Sequence, residues 1–240
     1  MAWSRAASAA CATTMHPSHI AATPVQAQDS YYVKGHNAVA TRAADRGTQR
    51  AKNVILFIGD GMGISTITAA RIYAGQRKGV DGESYQLAME KLPYSAFSKT
   101  YTHDSQVADS APTAVAMTTG VKSYNGTLGI TQGANIKDCA TAKSNGTTSL
   151  WEIAADEGMA TGVISTARLT HATPAATYAE TTERDWESDK DVSAEGKAKG
   201  CVDIAAQFVA WQAAHGKGFD VAMGGGRTNF IPNTMADPEY

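Results

Sequence analysis

An uninterrupted apolar run, Val54-Ile55-Leu56-Phe57-Ile58, ends abruptly in Gly59-Asp60-Gly61-Met62-Gly63. Apolar residues without alternation suit a strand buried on both faces, as in a parallel sheet covered by helices. A parallel strand needs a long crossover before its neighbour, so the run commits the chain to alternating strands and helices. The rest of the sequence follows that pattern. A helix is expected over 66–73, ending near Gly75, and 95–102 alternates weakly as a second strand. A helix opens near Ser110, and 120–147 reads as a long loop or small excursion. The next helix starts near Thr148, with Leu150, Ile153 and Ala154 on one face and Gly158 closing it. A third strand covers 160–166, and 170–189 is polar and loop-like. Cys201, Ile204, Ala205, Phe208 and Val209 recur at helical spacing, and 218–223 forms a fourth strand running into Gly224-Gly225-Gly226. The expected fold is α/β, with a doubly wound, mostly parallel central sheet flanked by helices.

With 240 residues, 43% hydrophobic composition and a net charge of −2, the chain has ample material for a globular core. No basic block stands out, which argues against nucleic acid as a partner. No stretch approaches a transmembrane span. Residues 1–28, rich in Ala, Ser and Thr, read as a degraded secretion leader or a disordered start. The middle of that stretch, Met15-His16-Pro17-Ser18-His19, is too polar for a good apolar core of a leader, and Cys11 lies within it. Residues 29–50 lack periodicity and read as an N-terminal arm, with the main domain over 51–240. The chain stops at Pro238-Glu239-Tyr240 without a closing element, which reads as a truncation.

Asp60 sits at the carboxyl end of a central strand, where open α/β sheets bind ligands. The glycines around it have the look of a dinucleotide loop, but the spacing is wrong and no acidic residue follows at the next strand end. A carboxylate there suits zinc or magnesium, or simply caps the next helix. The run Val107-Ala108-Asp109-Ser110-Ala111-Pro112-Thr113 places Ser110 at the positive end of a helix, with Pro112 in its first turn. A hydroxyl there can attack phosphorus and carry the phosphoryl group, or Asp109 or Ser110 can serve only as an N-cap.

A third cluster, Thr170-His171-Ala172-Thr173-Pro174 followed by Arg184-Asp185-Trp186-Glu187-Ser188-Asp189, decides between these readings. The three clusters together resemble the alkaline phosphatases, in family order and spacing. Flanking pieces agree: Ala88-Met89-Glu90, Ser98-Lys99-Thr100-Tyr101, Gly224-Gly225-Gly226-Arg227 and Asp237-Pro238-Glu239-Tyr240. The resemblance covers about residues 50–240. It leans to the animal-type branch, since His171 stands where the best-known enteric bacterial form has Asp.

The resemblance implies a role for each matching residue. Asp60 would be shared between a zinc and the magnesium, and Ser110 would be the nucleophile, ionised against that zinc. Asp109 would help orient the arginine. Thr173 would ligate magnesium, with His171 in or just outside its shell, and Arg184 would clamp phosphate as a bidentate fork. Cys139 and Cys201 would form an animal-type disulfide. The implied reaction is hydrolysis of a phosphate monoester through a phosphoserine, released by a hydroxide on zinc, whose bound water has a pKa of roughly 7. The implied setting is periplasmic or secreted, as a homodimer when complete, with inorganic phosphate as product.

Family members are much longer than this chain. Their remaining ligands, a Glu for magnesium, Asp and His residues for one zinc and an Asp-His pair for the other, fall outside the matching segment. His36, His103 and His215 fit no motif as replacements. The fragment alone is therefore expected to be inactive. Two rivals remain: a sibling metal-dependent phosphodiesterase, phosphomutase or sulfatase, which would lack the His171 to Arg184 cluster, and a non-catalytic phosphate- or metal-binding remnant. The sequons at Asn125 and Asn145 leave glycosylation open.

Overall fold

The computed structural model describes residues 24–43, 51–92, 95–216 and 218–239. The first 23 residues of the expected leader, including Cys11 and Met15 to His19, lie outside the described residues, as do 44–50 of the arm and Tyr240. In chain order the elements are α1 (Ser30–Ala43), α2 (Ile64–Arg77), α3 (Ser110–Thr119), α4 (Cys139–Ala142), α5 (Leu150–Asp156), β1 (Gly162–Arg168), α6 (Ala172–Ala175), α7 (Ala194–Ala198), α8 (Ile204–Ala214) and β2 (Val221–Gly225).

Helix α3 is the pivot of the core. The Asp109 carboxylate caps its start, and Gly120, at φ 78°, closes it in the left-handed conformation that glycine adopts without steric cost. Ala111, Ala114 and Val115 are fully buried. Their small side chains let α6 approach closely through Ala172, Ala175 and Ala176. Helix α5 starts from a capping box, in which Ser149 Oγ accepts from Glu152 N and the Glu152 carboxylate accepts from Ser149 N. Ile204 and Trp211 of α8 complete the same core, and Phe219 stacks on Trp211 with ring centroids 4.2 Å apart.

Strands β1 and β2 pair in parallel, Gly162 opposite Val221 and Ile164 opposite Met223, with an irregularity before Arg168 meets Gly225. The crossover between them carries α6, α7 and α8, as a parallel connection requires. Two expected strands are not paired. Residues 54–58 and 95–102 carry no strand assignment, and Phe57 and Phe97 are 90% and 95% exposed. An apolar run becomes a ladder only where a neighbour takes its N–H and C=O groups, and no strand lies beside either run among the described residues. Leu150 and Val209, expected on buried helix faces, are exposed; Ala155 faces the core in α5, while Ile204 is buried in α8 as expected.

The amino-terminal stretch adds contacts of its own. Residues Val25–Gln28 form a 3-10 turn, and the Gln26 side chain is buried. Its Nε2 donates to the carbonyls of Thr119 and Thr148, and its Oε1 accepts from Thr148 N at 3.0 Å, joining the end of α3 to the start of α5. The stretch read as an arm forms α1, whose Tyr32 ring lies against Gly120.

Cys139 and Cys201 form a disulfide, with Cα atoms 5.4 Å apart. Beneath α5, Glu152 and Glu180 face a small cavity shared with Thr147 and Ser149. Glu180 as a residue reaches solvent, but its carboxyl group folds in against the Gly146 backbone. Burial, and then the neighbouring charge of Glu152, push it up to about 7.

Candidate active site

Asp109 and Ser110 enter the site as cap and first residue of α3. Asp109 Oδ1 accepts from Ala111 N at 2.6 Å, and Oδ2 accepts from Gly126 N at 2.6 Å. The Asp109 N–H donates to Asn125 Oδ1 at 3.2 Å. Pro112 has no N–H to give. Of the first-turn donors only the Ser110 N–H is thus left for an anion, fewer than a bare helix end provides. The helix dipole still favours negative charge here, but a strong phosphate grip has to come from a side chain.

Arg184 brings a cationic side chain to this point. Its Nη1 donates to Ser110 Oγ at 2.9 Å and lies 3.5 Å from Asp109 Oδ1. Its Nη2 lies 3.3 Å from His171 Nε2. A guanidinium only donates, so His171 Nε2 accepts and a neutral ring carries its proton on Nδ1. That Nδ1 is buried and has no hydrogen-bond partner among the described residues. The Arg184 main chain is fixed as well, its N–H donating to Gly126 O at 2.7 Å. Ser110, Asp109, Arg184 and His171 therefore form one contact group, brought together by the packing of α6 on α3.

Asp60 joins this group through Thr173. Thr173 Oγ1 donates to Asp60 Oδ2 at 2.8 Å, and Thr173 lies in α6, whose N-cap is His171. The two oxygens meet at an exposed point, with the Gly59 to Gly63 turn around Asp60. Their donor chemistry fits part of a magnesium shell, which takes hard oxygen ligands and keeps several waters. By themselves these two oxygens do not complete a zinc shell. A catalytic zinc takes three protein ligands, usually including imidazole, and the described residues contain no group of three or more His, Cys, Asp or Glu able to hold a metal.

Asn125 and Gly126 belong to the site although the sequence marked them only as part of a sequon. Their bonds to Asp109 span 16 and 17 positions, and no local pattern records such a contact. The Asn125 amide is engaged at both ends, donating to Val107 O at 3.2 Å, and the Asn145 amide donates to Thr141 O at 2.9 Å. The other histidines among the described residues serve elsewhere: His215 pairs with Asp156, His103 contacts Tyr31, and His36 stacks on Tyr32.

A family model for alkaline phosphatase matches residues 51–240. The tissue-nonspecific alkaline phosphatase isozyme of Mus musculus is 46% identical over 194 residues, covering 80% of this chain and 36% of that protein. An alkaline phosphatase of Gadus morhua is 46% identical over 80% of this chain and 39% of its own length. A membrane-bound alkaline phosphatase of Bombyx mori is 38% identical over 93% of this chain and 44% of its own. The crystal structure of a cold-active alkaline phosphatase from Shewanella sp. superposes with a TM-score of 0.53 at 31% identity, over 72% of this chain and 36% of that one. The chain thus spans well under half the length of these relatives. No helix among the described residues is long and apolar enough to cross a membrane.

Proposed function

The chain belongs to the alkaline phosphatase family, and from that premise we propose that it supplies the nucleophile and phosphate clamp for hydrolysis of phosphate monoesters. The observation that carries this reading is the 2.9 Å hydrogen bond from Arg184 Nη1 to Ser110 Oγ. It puts a fixed positive fork beside a hydroxyl at a helix N-terminus. Arg184 would bind two phosphate oxygens through its guanidinium edge, so the phosphorus would lie against Ser110 Oγ. The same positive charge favours an ionised Ser110 oxygen. Attack by that oxygen forms the Ser110 phosphoester as the bond to the ester oxygen breaks, and the alcohol leaves with a proton. Water then attacks the phosphoserine, returning Ser110 and releasing inorganic phosphate.

Asp109, beside the same Nη1 that meets Ser110, would hold the arginine in register, and His171 would limit rotation of Nη2. Asp60 and Thr173 would hold magnesium, which supplies a positive charge beside the developing negative oxygens. For the zinc that the family resemblance implies, Asp60 and Ser110 would supply oxygen ligands, and the rest of its shell would have to come from further residues. A periplasmic or secreted location accords with the Cys139–Cys201 disulfide, which persists in oxidising compartments. A homodimer is the family-based expectation for the complete protein.

That the described residues hold no three-ligand metal group favours a second reading, phosphate binding without turnover by this chain alone. One preparation tests both. The chain is supplied with zinc and magnesium, and inorganic phosphate binding and aryl phosphate turnover are measured beside Ser110→Ala. The expected result is phosphate binding that depends on Arg184, with turnover no higher than in the variant. Turnover well above Ser110→Ala would mean that another copy of the chain completes the site. Binding indifferent to Arg184 would remove the proposed clamp.

A further inference from the structure

We propose that Asn125 is a positioning residue for the reaction assigned to Ser110, a role that rests on the reading of Ser110 and Arg184 as the phosphate site. Asn125 does not touch Arg184 or the serine oxygen. It and Gly126 instead hold both of the chain segments that carry them.

The serine side hangs on Asn125 by its amide. Asn125 Oδ1 accepts from Asp109 N at 3.2 Å, and Nδ2 donates to Val107 O at 3.2 Å. Only one orientation of the amide satisfies both partners, because the Asp109 N–H needs an acceptor and the Val107 carbonyl needs a donor. Gly126 N adds a bond to Asp109 Oδ2 at 2.6 Å. The arginine side hangs on the next carbonyl, where Gly126 O accepts from Arg184 N at 2.7 Å. The dipeptide is itself anchored, since Asn125 N donates to Asp104 Oδ1 at 3.0 Å, an oxygen that also accepts from Thr102 Oγ1. Gly126 sits at φ 82°, a conformation open to glycine and strained for other residues. The distance between Ser110 Oγ and the Arg184 guanidinium is therefore set through Asn125-Gly126 as well as by direct contact.

An Asn-Gly pair is also a favoured turn, and a turn-forming role would end there. The two roles separate on substitution. Aspartate keeps the turn preference and an acceptor for Asp109 N. It loses the donor to Val107 O and sets a carboxylate oxygen against that carbonyl.

The test uses the full 240-residue chain with inorganic phosphate as probe, following affinity by calorimetry and the Arg184 guanidinium by NMR. Asn125→Ala and Asn125→Asp are each expected to weaken phosphate binding about tenfold and to shift the Arg184 signal. In an Arg184→Ala background, Asn125→Asp should weaken phosphate less than twofold further, because the clamp it positions is already gone. Thermal unfolding shows whether each variant folds; should Asn125→Ala fail to fold, Asn125→Asp decides. Wild-type affinity in Asn125→Asp, or full additivity with Arg184→Ala, would overturn the proposal. If Arg184→Ala alone leaves phosphate binding unchanged, the phosphate-site reading fails. The positioning claim is then decided by the Arg184 signal, which moves in Asn125→Asp if the claim holds and stays in place if it does not.

Discussion

Arg184 reaches Ser110 across 74 positions of sequence, its Nη1 donating to the serine Oγ at 2.9 Å while its main-chain N–H is pinned to Gly126. Holding both ends means the guanidinium loses little freedom on meeting an anion, so most of a charge-assisted contact is realised as affinity. Arg184→Ala is expected to weaken inorganic phosphate binding by about 1.5–3 kcal/mol. Arg184→Lys should fall between, keeping the charge but not the planar fork. Titration calorimetry on the three proteins reads this directly, and equal affinities would take Arg184 out of the site.

The Cys139–Cys201 disulfide joins residues 62 apart in sequence. Chain-entropy reasoning puts the stabilisation from a closed loop of that size at about 4 kcal/mol, through restriction of the unfolded chain. Urea unfolding with and without a dithiol reductant should show a loss of that order. A loss below about 1 kcal/mol would mean that the unfolded chain is already restrained or the native bond strained.

Glu180 gives a pH dependence of definite sign. Its folded value of about 7 exceeds the ordinary 4.5, so the folded state holds this proton more tightly than the unfolded chain. The contribution is fully present below about 4.5, is lost as pH rises to about 7, and is level above. Because Glu180 touches solvent, the effect is screened. Glu180→Gln should flatten the fall in melting temperature between these limits and leave the variant relatively more stable at pH 8. Parallel curves for the two proteins would refute it.

Much of this site was legible before any coordinates, but by two different routes. The helix at Ser110 could be read physically, from Asp109 as cap, small residues for close packing and Gly120 as its end. Arg184 could not. On physical grounds alone an isolated arginine in a polar loop reads as a solvated charge, and only the resemblance of the surrounding motif singled it out. Asn125 and Gly126 were missed because their bonds to Asp109 and Arg184 are long-range and leave no periodic trace. Gln26 was missed for a related reason: an amide in an Ala-rich stretch gives no sign that it will bridge Thr119 and Thr148. The strands at 54–58 and 95–102 show the opposite error. Their composition asks for burial, but a ladder also requires a partner, and partners are not a property of the run itself.

Asp60 follows one of those unpaired runs, and if it holds a cation as proposed, that cation is coupled to whatever packs on the run. Whatever covers Val54 to Ile58 also restricts where the Asp60 carboxylate can stand relative to Thr173. By linkage, any polypeptide that docks on the run and thereby orders Asp60 raises cation affinity, and the cation tightens the docking by the same factor. Magnesium would then act as a fastener for the exposed run as well as a participant in the chemistry, and a chelator would loosen whatever is docked there.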